Sequence, residues 1–163
     1  MSPKKWIILG ILAAGAITYI YTAGRTTSVR PLSETETTSE FANYQKKNLR
    51  IGENTFTVYV ADTTELRELG LSGTSGLPSD SGMLFVFPQA GKYPFWMKDM
   101  RYPLDMVWID DAGKVVDITK DAKPESYPTT FAPKESARWV LELTAGETEK
   151  KNIQIGEYVV LSD

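Results

Sequence analysis

The chain reads as an α+β protein, β-rich, with a mostly antiparallel sheet or partly closed barrel and one or two short helices. Three observations predict this class. Beyond residue 45, apolar residues recur at every second position over short runs, the period of a half-buried strand. Turn residues separate most of these runs by a few positions, which suits hairpins rather than the long crossovers of parallel strands. Helix signals occur in only one or two places, and there briefly.

The elements follow in order. "TFTVYVA" sets Phe56, Val58 and Val60 on one face and Thr57 and Tyr59 on the other; "IGEN" turns it back onto "NLRI", giving a first hairpin. In "DTTELRELGL", Asp62 and Glu65 form a capping box, Leu66 and Leu69 give an apolar face, and Gly70 stops the helix in a left-handed conformation. "SGTSGLPSDSG" is a loop. "MLFVFP", bounded by Gly82 and Pro88, is apolar on both faces and so belongs at the centre of the fold. "YPFWMK" and "LDMVWID" follow as strands, and the second turns through "DDAG" into "KVVDIT", with Gly113 available for positive φ. "KDAKPESYPTTFAPKES" is a long proline-bearing connection, of a length that is often functional in a small domain. "ARWVLEL" sets Trp139, Leu141 and Leu143 against Arg138, Val140 and Glu142. "TAGETEKKNIQIG" is a short helix or turn, and "EYVVLS" is the last strand.

Ahead of this domain, Lys4 and Lys5 precede an uncharged run from Trp6 to Gly24, with Trp6 at one end and Tyr19 and Tyr21 at the other. A spanning helix needs about 20 apolar residues, with aromatics at the interfaces, so residues 1–24 read as a transmembrane anchor inserted through residues 6–24. The two lysines and the amino terminus favour a cytoplasmic start, which leaves the domain on the extracytoplasmic side. A cleaved signal peptide is the alternative. A cut after Ala23 would put Tyr21 where a small residue is required, and Ala14-Gly15-Ala16 fits better but leaves a short apolar region. Residues 25–44, rich in Ser, Thr and Glu, read as a flexible spacer, and residues 45–163 as the domain.

Composition removes several functions. The net charge is −3 over 163 residues with the lysines scattered, which gives no electrostatic footprint for nucleic acid. Cysteine and histidine are absent, which excludes disulfides, thiolate and imidazole metal sites, and triads built on either residue. No phosphate loop is present and no cofactor is expected.

Candidate chemistry concentrates in residues 94–105, "PFWMKDMRYPLD". Here Trp96 offers an aromatic platform, while Lys98, Asp99, Arg101 and Asp105 offer hydrogen-bonding groups. Arg138 and Glu142, on one face of their strand, could join them. Such a corner suits an envelope ligand, a glycan or a peptide. The competing structural reading packs Phe95, Met97, Met106 and Trp108 into the core, pairs the charges at a strand corner, and leaves a purely structural module. Arg138 and Glu142 could equally form a buried ion pair. A hydrolase acting on envelope polysaccharide would need two carboxylates from Asp99, Asp105 and Glu142, about 5–5.5 Å apart for retention or about 6.5–9.5 Å for inversion. Met83, Met97, Met100 and Met106 could hold Cu(I) through thioethers, but strand positions facing the core suit packing better.

Taken in order, "LPSDSGMLFVF", "FWMKDMRYPLDMVWIDDAGKVV", "YP", "ARWVLELTAG" and "IQIGEYV" resemble the DUF192 family over about residues 48–163. The resemblance implies a small β-rich domain, exported or membrane-anchored, and brings no established activity, cofactor or catalytic residues. The family often reads like "RGLMFR" after its first helix and "KNT" or "KNM" after "FWM". This chain has "LGLSGT" and Lys98-Asp99-Met100 there, so no ligand role is carried over at those positions.

Overall fold

In the computed structural model the described residues are 40–163; the predicted anchor and most of the predicted spacer lie outside them. Strand β1 (Gln45–Ile51) and strand β2 (Asn54–Ala61) form the expected hairpin, with Ile51 opposite Asn54 and Gly52 at φ 55° in the turn. Helix α1 (Thr64–Leu69) begins one residue later than the capping box implied. Thr63, not Asp62, is the cap, its Oγ1 accepting the Leu66 N–H at 3.2 Å, because Thr63 is the residue that stands three positions before Leu66. Gly70 ends the helix at φ 51° and ψ −133°, outside the left-handed helical region, and its N–H reaches the Leu66 carbonyl at 2.9 Å.

Strand β3 (Ser81–Gly91) runs through both residues expected to bound it. Gly82 lies inside the strand because a Cβ there would stand 2.7 Å from the Glu142 carbonyl, so the close approach of the neighbouring strand requires glycine. Pro88 falls between Val86 and Gly91, where the ladder shifts register and one N–H fewer is needed. The β2–β3 pair is parallel, with α1 and the loop after it making the crossover; every other pair is antiparallel.

Strand β4 is reduced to Phe95–Trp96 and pairs with β7 (Thr130–Phe131), which rises from the proline-bearing connection. Strands β5 (Leu104–Ile109) and β6 (Val115–Ala122) form the expected hairpin with Gly113 at φ 81°. Strand β8 (Ala137–Thr144), helix α2 (Glu147–Lys150) and strand β9 (Val159–Ser162) complete the chain.

The main sheet has the order β6-β5-β8-β3-β2-β1-β9, which puts β3 at its centre as its two apolar faces require. It curls until its ends meet. Lys114 bridges Tyr158, the Val115 N–H reaches the Glu157 carbonyl at 2.8 Å, and the Val159 N–H reaches the Gly113 carbonyl at 2.8 Å. The result is the β-rich α+β class in its half-barrel form. Alternation then divides the apolar residues in two. Leu49, Phe56, Leu84, Val107, Val115 and Leu141 fill the inside of the curl, to which all seven strands contribute. Met83, Phe85, Met106, Trp108 and Val140 form a second core on the outer face.

The outer core is covered partly by residues expected in the spacer. Phe41 is fully buried and stacks on Tyr59 at 4.1 Å, and Tyr44 is buried beside it, so the domain begins before residue 45. Met83, Met97 and Met106 are fully buried in this layer and Met100 packs against it, so packing accounts for the methionine cluster. Among the described residues no helix is long and apolar enough to cross a membrane.

Candidate functional site

A cleft of about 300 Å³ opens on the outer face of the sheet, between α1 with its following loop and the approach to β4. Strand periodicity builds its floor. Met83, Phe85 and Phe87 alternate onto the outer face of β3, while Val140 and Glu142 do so on β8. Glu142 pairs in register with Met83 on one side and Met106 on the other, so two buried thioethers flank its carboxyl.

The walls are aromatic. Phe87 and Tyr93 stack face to face at 3.8 Å, and Phe95 meets Phe85 edge-on at 4.9 Å and Trp108 at 5.3 Å. At the mouth, Trp96 and Leu69 are 57% and 51% exposed. Both line the cleft, so its rim is apolar on both sides. Arg67 lies 5.4 Å over the Phe87 ring, with its guanidinium committed to the carbonyls of Asp62 at 2.6 Å and Val86 at 2.9 Å.

Glu142 is the anomaly. It is 4% exposed, and among the described residues its carboxyl has neither a hydrogen-bond donor nor a cation partner. Every fully enclosed side-chain nitrogen and oxygen among the described residues does have a partner, so the Glu142 carboxyl is one that reaches the cleft. Burial without a compensating charge pushes it up to about 8. Two phenols feel it: Tyr102 is pushed up to about 12, chiefly by burial, and Tyr44 is raised by burial and then by Glu142. Both phenols are held, Tyr44 by the Gly70 carbonyl at 3.0 Å and Tyr102 by Thr74 Oγ1 at 2.8 Å.

Of the residues selected from sequence, the cleft gathers Trp96 and Glu142. Lys98, Asp99 and Arg101 are exposed on the loop after β4 and form no ion pairs among the described residues, so the expected corner of paired charges is not there. That loop is fixed through its backbone. Ser72 Oγ donates to the Lys98 carbonyl at 3.2 Å, and the Gly73 N–H donates to the Asp99 carbonyl at 2.9 Å.

Asp105 is placed on the other face of the sheet, opposite Leu143 and inside the curl, because its position in β5 is one off that of Met106. Its Oδ2 accepts from the N–H groups of Gly146 at 3.0 Å and Thr148 at 3.1 Å and from Thr148 Oγ1 at 2.6 Å, while Oδ1 accepts the Asp121 N–H at 3.0 Å. It thereby satisfies the free donors at the start of α2, whose own cap residue, Gly146, has no side chain to do so. Arg138 donates to the Phe87 carbonyl at 3.2 Å and pairs with Asp111 at 3.6 Å, so the alternative Arg138–Glu142 ion pair is not formed. With Asp99 on an exposed loop and Asp105 across the sheet, the carboxylate set weighed for hydrolysis does not assemble.

Sequence reasoning passed over Leu69, Arg67, Phe87 and Tyr93. The shared parity of Met83, Phe85 and Phe87 was the available signal. What brings α1 and Tyr93 to that face is the crossover geometry, which has no local signature.

A small half-closed β-barrel domain with an aromatic cleft on its outer face is the class these features define. The chain belongs to the DUF192 family, described as an uncharacterised ACR, whose model matches residues 47–161. A protein of Sinorhizobium meliloti 1021, provisionally described as a transcription regulator, is 31% identical, with a TM-score of 0.69 over 72% of this chain and 95% of its own. A protein of unknown function from Novosphingobium aromaticivorans DSM 12444 is 24% identical, with a TM-score of 0.68 over 72% of this chain and 86% of its own, and so shares the fold. No curated protein matches the sequence.

Proposed function

We propose that the chain is a membrane-anchored, extracytoplasmic binding module whose cleft between Leu69 and Trp96 receives an envelope ligand. The observation that carries this reading is the Glu142 carboxyl, without a partner among the described residues, at the floor of an aromatic cleft. A largely buried carboxyl that opens only onto the cleft offers a bound ligand a hydrogen-bonding and charge partner in a low-dielectric setting. Pockets of about 300 Å³ or more with apolar walls and a few convergent polar groups are typical of small-ligand sites. The preponderance of aromatic wall over hydrogen-bonding wall favours a peptide side chain over a glycan. The regulator description of the Sinorhizobium protein is not adopted, since a net charge of −3 opposes nucleic-acid binding.

A thermal-shift screen of the chain against short peptides and muropeptides tests the cleft. A ligand at about 100 times its Kd adds about 2.7 kcal/mol of stability. The expected result is a shift that Trp96→Ala abolishes, while the free variant stays within about 0.5 kcal/mol of the parent, as suits an exposed side chain. Binding undiminished in Trp96→Ala would remove the cleft from the reading, and no binding at all would favour the purely structural module. The anchor rests on the run from Trp6 to Gly24. Alkaline carbonate extraction of membranes should leave the chain in the pellet; full release would overturn the anchoring.

A further inference from the structure

The Glu142 carboxyl sets a sharper condition on the ligand. Around it, β3 and β5 present the neutral Met83 and Met106. The α1 side presents Arg67 and Glu68, the segment before β1 presents Tyr44, and the loop before β5 presents Tyr102. Glu40, which also acts on Tyr102, is bonded to Ser75. The basic residues nearby are already engaged, Arg67 with two carbonyls and Phe87, and Arg138 with Phe87 and Asp111. Among the described residues, none therefore supplies Glu142 with a counter-charge. Phe85, Phe87, Tyr93 and Trp96 line the same cleft as the carboxyl, and aromatic faces beside an open volume attract organic cations. Carboxyl and rings thus border one volume.

We propose that the cleft takes an organic ammonium, an amine carried on an apolar or aromatic body, with its nitrogen on the Glu142 carboxylate and its body between Leu69 and Trp96. This rests on the cleft being the ligand site. The binding step balances as an ammonium ion meeting the neutral carboxylic acid, forming the ammonium–carboxylate pair and releasing one proton to the buffer. Affinity therefore depends on pH in a defined direction. With Glu142 at about 8, the ionised form is scarce in mildly acid solution, and the apparent affinity scales with its population.

The test is calorimetric titration of the chain with phenethylamine, 2-phenylethanol and 3-phenylpropanoate from about pH 6 to about pH 8.5. The expected result is amine binding that tightens roughly tenfold from pH 6 to pH 7 and levels above about 8, with about one proton released near pH 6.5. Glu142→Gln should lose the pH dependence and at least about tenfold in affinity for the amine. A flat or falling pH profile, equal or tighter binding of the carboxylate, or a Gln variant that binds the amine as well as the parent would each overturn the proposal. If peptides shift the melting temperature through Trp96 while the amine does not bind, the ammonium inference alone falls. If no probe binds, the cleft fails as a ligand site altogether.

Discussion

Glu142→Gln should make the domain more stable at neutral pH and leave it unchanged near pH 4.5. In the folded chain Glu142 holds its proton up to about 8, against an ordinary value of 4.5, with burial as the cause. The folded state therefore keeps this proton over a range where the unfolded chain has lost it. The stabilisation linked to the proton is complete below about 4.5, declines as pH rises, and is gone above about 8. At about 1.4 kcal/mol per unit, the loss between pH 4.5 and pH 7 is on the order of 3 kcal/mol. Glutamine carries no titrating proton and escapes it. Urea midpoints for parent and variant should coincide near pH 4.5 and diverge in favour of the variant by pH 7. Because other titrating groups are common to both chains, the difference isolates Glu142. Parallel curves across that range would mean that its carboxyl is solvated in the folded state.

Asp105→Ala should have the opposite sign at every pH where the domain is folded. Its four acceptor contacts tie β5 to the end of β6 and to the start of α2. Truncation leaves the N–H groups of Asp121, Gly146 and Thr148 and the Thr148 hydroxyl without their acceptor. At about 1–3 kcal/mol for a buried donor left unsatisfied, and with partial rescue by water, a loss of about 3–4 kcal/mol is expected. Asp105→Asn should fall between, since its amide retains an acceptor for one side of the junction but presents N–H to a donor on the other. Equilibrium urea unfolding measures both. A loss below about 1 kcal/mol in Asp105→Ala would show that the junction is held by something other than this carboxylate. Ligand affinity should not change in either variant, because Asp105 faces the inside of the curl.

These two carboxylates show what the sequence made legible and what it did not. Period-two alternation was enough to put Arg138, Val140 and Glu142 on one strand face, and a run apolar on both faces was enough to make β3 central. Alternation alone does not say which face of one strand meets which face of another. Asp105 looked like a neighbour of Trp96 because only eight positions separate them; the strand pairing that sends it through to the other side of the sheet is a long-range fact. Lys98, Asp99 and Arg101 misled for a different reason. Charges beside aromatics look like a site, yet here the loop is pinned by its carbonyls and the charges point to water. Phe41 and Tyr44 were hidden by the polar residues around them, since two aromatics cannot mark a segment as packed when the surface that receives them lies elsewhere in the chain.

The meeting of the two ends of the sheet affects how copies of the domain behave toward each other. An open sheet offers an outermost strand whose unpaired amides can recruit another chain. Here β9 is bonded on one side by β1 and is met on the other at Gly113, and β6 begins against the residues that lead into β9. Along the rest of β6, Asp117 is tied to the Lys134 N–H, the pairing with β5 is interrupted by register shifts, and Lys120 and Asp121, with Lys123 just past the strand, carry charge to the solvent. Curling the sheet thus leaves little for a second molecule to extend. If the chain is held at high density on a membrane, that is a built-in resistance to polymerising with its neighbours.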